Sequence, residues 1–338
     1  MTEMQVRVRD VVVETADACS FVLDVPTGFA YRPGQFLTVR VGEAARSYSL
    51  SSSPHLDEPP KITVKRTSDG YASNWLCDNI RSGTVLRCLA PAGAFTPRSL
   101  DADLLMLAGG SGITPVISIV KSVLAAGQAR VVLVYANRDE ASVIFAAELR
   151  ALAAAHPGRL AVVHWLESVQ GVPTRAQLRV LAEPFAGYAA FVCGPAPFMD
   201  EVTHALRDLG VPRTHIHVEL FQSLTGDPFA EAAADFAEAA PSAADSGEAS
   251  TVLVELDGER HEFDWPPHTK LLDLLLDRGL DAPFSCREGS CGACTCRVED
   301  GEVKMLRNEV LDEQDLAEGY ALACQSLPLS PAVTISYT

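Results

Sequence analysis

The 338-residue chain is short of basic residues: 27 Lys and Arg stand against 44 Asp and Glu, a formal net charge of −17. The deficit is uneven. Residues 251–338 hold 17 acids and 7 bases, residues 225–250 hold 6 acids and no base, and residues 1–224 are close to neutral. Nucleic acid is disfavoured as a partner of the acidic C-terminal part, while a basic protein face suits it; acidity for solubility explains the charge as well. Long apolar runs are missing too. The longest uncharged run, residues 104–120, is interrupted by three glycines and a proline. It is a little short to span a bilayer and reads as a buried strand, loop and helix, so no membrane association is expected. The N-terminus shows no basic region followed by an apolar one, so no secretory signal is expected. A cytoplasmic location follows, where structural disulfides are rare. Cysteine is used sparingly, nine in all, an odd number that argues against a full disulfide framework. Yet four of the nine crowd into "SCREGSCGACTC", residues 285–296.

At this length two or three domains are expected. Residues 225–250, "TGDPFAEAAADFAEAAPSAADSGEAS", are rich in Ala, Asp, Glu, Ser and Pro and read as an acidic, solvated linker. In residues 1–101, β-like runs such as "MQVRVRDVVVE", "QFLTVRV" and "TVLRCLAP" are separated by turn residues, which predicts a small antiparallel β-barrel. In residues 102–224, apolar strands such as "LLMLAGG", "RVVLVYANR" and "YAAFVCGP" alternate with helical stretches such as "VISIVKSVLAAG" and "SVIFAAELRALAAAH". That alternation predicts an α/β domain on a parallel sheet. Residues 251–338 open with a hairpin turning at Asp257-Gly258, continue with the helix "TKLLDLLLDRG" and reach the cysteine loop. No internal repeat is present.

"LAGGSGITP", residues 107–115, follows a strand and opens a helix. Glycines there let backbone N–H groups approach a pyrophosphate at a helix N-terminus, and Pro115 suits the first helical turn. Because Pro115 takes the last position of G-x-G-x-x-G, a tight structural turn explains the stretch equally well. "CGPAPFM", residues 193–199, ends a later strand, and two such loops at one sheet edge frame a dinucleotide crevice. By itself Cys193 reads as a buried core thiol. In the barrel, "RSYSL", residues 46–50, offers an Arg for a phosphate, a Tyr for a flat ring and a Ser for a ring nitrogen; ordinary strand alternation accounts for it too. "DGYASNWLCD", residues 69–78, reads as a turn and a helix with Ser73 near its N-cap, whose N-terminus can hold a second phosphate.

The cysteines carry the sharpest signal. Cys286, Cys291 and Cys294 are spaced C-x4-C-x2-C, and Cys324 follows after 29 residues, the plant-type [2Fe–2S] pattern. Gly289, Gly292 and Ala293 are small enough to let the loop wrap a cluster. A zinc ribbon, the alternative, would pair two C-x2-C knuckles, whereas Cys324 stands alone. Cys296 is an extra thiol expected in the core of the following strand.

In this order "RSYSL", "GYASNWL", "GGSGITP", "CGPAPFM" and "CREGSCGACTC…C" resemble the ferredoxin–NADP reductase superfamily over nearly the whole chain. The layout is similar to that of the reductase components of bacterial oxygenases, with a flavin β-barrel, an α/β nicotinamide domain and a C-terminal α+β ferredoxin of β-grasp type. Within them it most resembles reductases of Rieske oxygenases in steroid-ring degradation; reductases of phenylacetyl-CoA epoxidases share the layout and are the alternative. The resemblance implies FAD, a [2Fe–2S] cluster held by Cys286, Cys291, Cys294 and Cys324, and NADH as cosubstrate. It implies that Arg46 holds the flavin pyrophosphate, Tyr48 stacks on the isoalloxazine, Ser49 bonds its N5, and Ser47 lies between them. Lys65, Gly70, Tyr71, Ala72 and Ser73 would line the rest of the flavin. Gly109, Gly110, Gly112, Ile113, Thr114 and Pro115 would bind the dinucleotide together with Cys193, Gly194 and Pro195. Glu219 and Phe221, in "HVELF", would stand with Ser49 and Cys193 near the hydride-transfer site. Asn137, Arg138 and Asp139 would meet the adenosine ribose. There Arg138 can pair with a 2′-phosphate, whereas Asp139 repels one and can bond a free 2′-OH. The implied activity is an NADH-dependent oxidoreductase that takes electrons in pairs and delivers them singly at an acidic surface to a terminal oxygenase. A monomer is expected, with the linker letting the ferredoxin module move between flavin and oxygenase. A cluster-based sensor would need a DNA- or partner-binding domain, and none is visible.

Overall fold

The computed structural model describes residues 3–56, 58–221, 229, 250–256, 258–280, 282–284, 287–289, 292, 294–311 and 313–337. The chain divides into two compact units, Met1–Ala233 and Ala234–Thr338.

In the first unit, alternating apolar residues build β1 (Glu3–Thr15), β2 (Ala18–Asp24), β3 (Phe36–Val41), β4 (Ala44–Ser49), β5 (Lys61–Lys65) and β6 (Val85–Leu89), with helix α1 (Tyr71–Asn79) after β5. They form one antiparallel sheet in the order β4-β3-β6-β1-β2-β5. A bridge between Leu50 and Ile62 joins its two edges and nearly closes a barrel. One side chain in two faces inward, so Val6, Val8, Phe21, Leu37, Ile62 and Val64 fill its core.

The same unit continues with a parallel sheet in the order β11-β10-β7-β8-β9, made of β7 (Leu104–Gly109), β8 (Val131–Asn137), β9 (Leu160–Leu166), β10 (Ala189–Cys193) and β11 (Ile216–Glu219). The apolar runs of β7 and β8 are buried on both faces, as a sheet covered by helices on both sides requires. Leu104, Met106 and Ala108 face helices α2 (Ile113–Ala126) and α3 (Ala146–Ala155). Past the short helix α4 (Glu167–Gln170), α5 (Arg175–Ala182) and α6 (Ala196–Asp208) cover Leu105 and Leu107 on the other face. The helix expected from Ser142 onward starts only at Ala146, because residues 140–142 form a 3-10 turn and Phe145 has φ +61°.

Barrel and parallel sheet are joined by a polar seam. On α2, Ser118 Oγ donates to the Ser52 carbonyl (2.6 Å) and Ser122 Oγ meets Ser53 Oγ (2.8 Å). Between them Lys121, its side chain 2% exposed, is ion-paired with Glu58 (2.7 Å) and with Glu148 of α3 (3.0 Å). Phe229, from the stretch read as linker, is buried against Ala45 and Leu89 of the barrel. The guanidiniums of Arg40 and Arg87 stand 4.5 and 5.9 Å from its ring centre. The rest of residues 225–249 lies outside the described residues.

The second unit is a mixed sheet in the order β13-β12-β18-β14-β16, with a two-stranded ribbon β15-β17. Its strands are β12 (Ser250–Leu256), β13 (Glu259–Trp265), β14 (Thr295–Asp300), β15 (Val303–Met305), β16 (Tyr320–Leu322), β17 (Ser326–Pro328) and β18 (Ala332–Tyr337). The sheet grasps helix α7 (Leu271–Asp277) through Leu271, Leu272, Leu274 and Leu275, and α8 (Glu313–Ala317) precedes β16. The β12–β13 hairpin forms as expected, with Asp257 outside the described residues. The architecture is the barrel, parallel α/β sheet and α+β ferredoxin fold that the sequence pointed to. Among the described residues no helix is long and apolar enough to cross a membrane.

Candidate functional site

The chain order reverses between β7 and β10, which are neighbours in the sheet and run parallel. Loops leaving two such strands diverge to opposite faces and open a crevice at their C-terminal ends. Gly109, Asn137, Cys193 and Glu219 are the last residues of β7, β8, β10 and β11, so one sheet edge gathers four of the residues singled out above. The two Gly/Pro loops touch there. A Cβ on Gly112 would lie 2.0 Å from the Cys193 carbonyl oxygen, and one on Gly109 would lie 2.9 Å from Pro195, so only glycine permits this approach. Ile113, Thr114 and Pro115 form the first turn of α2, and Gly110–Gly112 a 3-10 turn before it. Asn137 is buried at the same edge beside the Tyr135 hydroxyl, and among the described residues its amide nitrogen and oxygen meet no partner at full hydrogen-bond geometry. A buried amide is costly to leave unpaired, so it suits a polar ligand such as a ribose.

Cys193 and Glu219 are directly opposite each other in the β10–β11 ladder. Burial pushes the Glu219 carboxyl up to about 8 and the Cys193 thiol well above its usual range, the latter aided by Glu219. At neutral pH Glu219 is therefore protonated and can donate a hydrogen bond. Phe221, two residues on, is about half exposed. Beside Glu219 on β11, His217 stacks on Phe191 and is pushed down to about 4 by burial and by Arg98 and Arg213.

On the barrel, Arg46 and Tyr48 occupy one face of β4, two residues apart. Arg46 Nη1 donates to the Ala45 carbonyl (2.7 Å), Ser47 Oγ meets Thr38 Oγ1 (3.3 Å), and Ser49 is buried at the strand end. Lys65 ends β5 and reaches across to the crevice: a Cβ on Gly110 would lie 3.4 Å from its Nζ. Burial draws the Lys65 ammonium below its ordinary value, against the pull of Asp17. The N-cap of α1 is Gly70; Ser73 lies near it as the third helical residue, and its hydroxyl accepts from the Thr67 N–H (3.1 Å). The hydroxyl thus pins the preceding turn. Tyr71 is exposed, while Ala72 is buried.

In the second unit Cys294 and Cys324 are both buried, and the Ala323 N–H donates to the Cys294 carbonyl (3.0 Å). Tyr337 lies beside both and beside Cys296, which sits in the core of β14 as expected. Cys286, Cys291 and Ala293 lie outside the described residues; among the described ones no three His, Cys, Asp or Glu side chains group as a metal site. The surroundings of the two described thiols fit a cluster. Gly289 has φ +78°, and a Cβ on it would lie 2.7 Å from the Arg307 carbonyl oxygen. Buried Gln325 donates to the Arg287 carbonyl (2.8 Å) and to Cys324 Sγ (3.6 Å), tying loop to thiol. Sequence reasoning missed Gln325 because nothing in its spacing marks it.

Three families match in order along the chain. The Oxidoreductase FAD-binding domain matches residues 3–96, the Oxidoreductase NAD-binding domain residues 106–204, and the 2Fe-2S iron-sulfur cluster binding domain residues 254–329. The chain is 56% identical over 336 residues to the "3-ketosteroid-9-alpha-monooxygenase, ferredoxin reductase component" of Rhodococcus rhodochrous, covering 97% of this chain and 95% of that one. Among solved structures, phthalate dioxygenase reductase shares the fold, with a TM-score of 0.59 at 24% identity and 99% and 98% of the two chains covered. CYP116B46 of Tepidiphilus thermophilus aligns with a TM-score of 0.64 at 24% identity over 98% of this chain, which spans 42% of that longer one.

Proposed function

The chain belongs to the family of 3-ketosteroid-9-alpha-monooxygenase ferredoxin reductase components, and from that membership we propose how its residues carry electrons from NADH to a terminal oxygenase. It is an NADH-dependent oxidoreductase with FAD and [2Fe–2S] domains. When bound, FAD accepts a hydride as an electron pair, and the cluster passes electrons on one at a time.

The division we propose is a flavin barrel over 1–101, a nucleotide domain over 102–224, an acidic linker over 225–250 and a ferredoxin module over 251–338. Arg46 offers a fork for the flavin pyrophosphate, Tyr48 a ring face and Ser49 a hydrogen bond at N5. Lys65 and the start of α1 at Gly70, Tyr71, Ala72 and Ser73 line the remainder. Gly109, Gly110 and Gly112 leave room for the dinucleotide phosphates at the N-terminus of α2, and Gly194 and Pro195 form the opposite wall. Asn137 offers its buried amide to the ribose. Cys193 and the protonated Glu219 keep the hydride-transfer end of the crevice free of fixed charge, with Phe221 at its rim. Cys286, Cys291, Cys294 and Cys324 hold the cluster. The single observation that carries this reading is the meeting of the two glycine loops at the switch between β7 and β10, on a chain whose last module matches a cluster-binding domain.

The partner is an oxygenase. We assign it as the Rieske-type terminal component of a 3-ketosteroid 9α-hydroxylase, docking on the acidic ferredoxin module, with the reductase acting as a cytoplasmic monomer. The charge of residues 251–338 supports the docking face. The identity to the Rhodococcus protein favours this assignment over a phenylacetyl-CoA epoxidase. Anaerobic titration of the purified protein with NADH, with NADPH in parallel, is the test. Bleaching of both flavin and iron–sulfur bands by NADH is expected; flavin bleaching with no cluster signal would leave a bare flavin reductase.

A further inference from the structure

Asp17 lies in the turn between β1 and β2, outside every stretch singled out in the sequence. Its carboxylate holds two cations, one from each half of the first unit. Arg138 Nη2 donates to Oδ2 at 2.8 Å, and Lys65 Nζ stands 3.9 Å from the same oxygen. Thr15 Oγ1 donates to the other oxygen at 2.8 Å, and the Arg66 N–H donates to the Asp17 carbonyl at 2.7 Å, which fixes the turn against β5. The side chain is 28% exposed, so this is an oriented carboxylate and not a loose surface charge. Arg138, in contrast, is 65% exposed, directly after the end of β8. The other acid there, Asp139, accepts from the Ser142 N–H (2.9 Å) and caps the 3-10 turn.

We propose that Asp17 is a specificity-determining residue for the dinucleotide, holding Arg138 and offsetting its charge so that a 2′-phosphate is disfavoured and NADH is preferred over NADPH. The proposal rests on the reading of residues 109–115 and 137–138 as the dinucleotide site. A 2′-phosphate needs a cation whose charge is not already compensated, and a guanidinium offers the matching fork. Asp17, Arg138 and Asp139 all stand near Lys65, which makes two charges of each sign. A phosphate bound at Arg138 would have to displace the Asp17 carboxylate or lie beside it, and like charges at that separation repel. Because Arg138 is largely in water, the effect is moderate and weakens with salt.

The test uses the FAD-loaded full chain with ferricyanide as acceptor, and kcat/KM for NADH and NADPH at low ionic strength. The variants are Asp17→Asn, Asp17→Ser, Arg138→Leu and the Asp17→Asn/Arg138→Leu double. Either Asp17 change is expected to raise kcat/KM for NADPH about 5-fold, mainly through KM, and to leave that for NADH within about 2-fold. The double variant shows no gain, since the gain passes through Arg138. An Asp17→Asn protein that retains FAD and oxidises NADH but keeps the original NADPH/NADH ratio overturns the proposal. So does a gain that persists in the double variant. If Arg138→Leu alters KM for neither dinucleotide, the site reading itself fails, and the proposal with it.

Discussion

The two units carry their sites on different kinds of scaffold. In the first, Gly109, Asn137, Cys193 and Glu219 share nothing as residue types; what unites them is a place at the ends of four parallel strands. In the second, the proposed site rests on four residues of one type, and the two of them that are described, Cys294 and Cys324, are buried in the core of the sheet. The difference follows from the ligands. A phosphate is held by backbone N–H groups at a strand end, which any sequence supplies, so topology decides. Iron demands thiolates at fixed intervals, so spacing decides.

Cys324→Ser should separate the units most sharply. The cluster's visible bands are expected to vanish, and single-electron delivery to fall by more than about 100-fold, since even outer-shell changes at metal sites cost 10–100-fold. NADH–ferricyanide activity should remain within 2-fold; a parallel loss of flavin reduction would show that the units are not independent. Lys121→Met removes the buried cation of the seam and leaves Glu58 and Glu148 facing each other. Both carboxylates are partly exposed, so about 2 kcal/mol is expected, below the range for fully buried pairs. Flavin release on heating should come earlier, while the iron–sulfur bands melt as before. A smaller effect concerns pH. Glu219, raised by burial to about 8 from an ordinary 4.5, stays protonated in the folded chain where the unfolded chain has released its proton. Stability of the first unit therefore falls as pH rises between those values, by at most about 1.4 kcal/mol per pH unit. His217, depressed to about 4 from 6.5, acts oppositely but only below pH 6.5. Between pH 6.5 and 8, denaturant midpoints should decline for the native protein and flatten in Glu219→Gln. An equal slope in both would remove Glu219 as the cause.

The strands, the parallel sheet and the cysteine spacing were legible because period-2 alternation, buried apolar runs and metal-ligand intervals are local patterns. The start of α1 near Ser73 was legible from the turn before it, but the bond from the Thr67 N–H to the Ser73 hydroxyl, which pins that turn, was not. The proposed ribose end was legible only in part: Arg138 stands directly after an apolar strand, but its partner Asp17 is 121 residues away and no local pattern links them. Gln325 was invisible for the same reason. The seam could have been seen. Ser118, Lys121 and Ser122, at i, i+3 and i+4 of an otherwise apolar helix, mark one polar face that needs a polar partner.

That seam also determines how such reductases can be recombined. A hybrid joined at residue 102 would take Ser52, Ser53 and Glu58 from one parent and Ser118, Lys121 and Ser122 from the other, leaving the buried Lys121 ammonium with Glu148 as its one carboxylate unless both parents carry the same set. A junction beyond Phe229, itself held on the barrel between Arg40 and Arg87, keeps all of these partners in one parent. Ferredoxin modules are therefore the exchangeable parts of this design, and flavin barrels travel only with the sheet they are joined to.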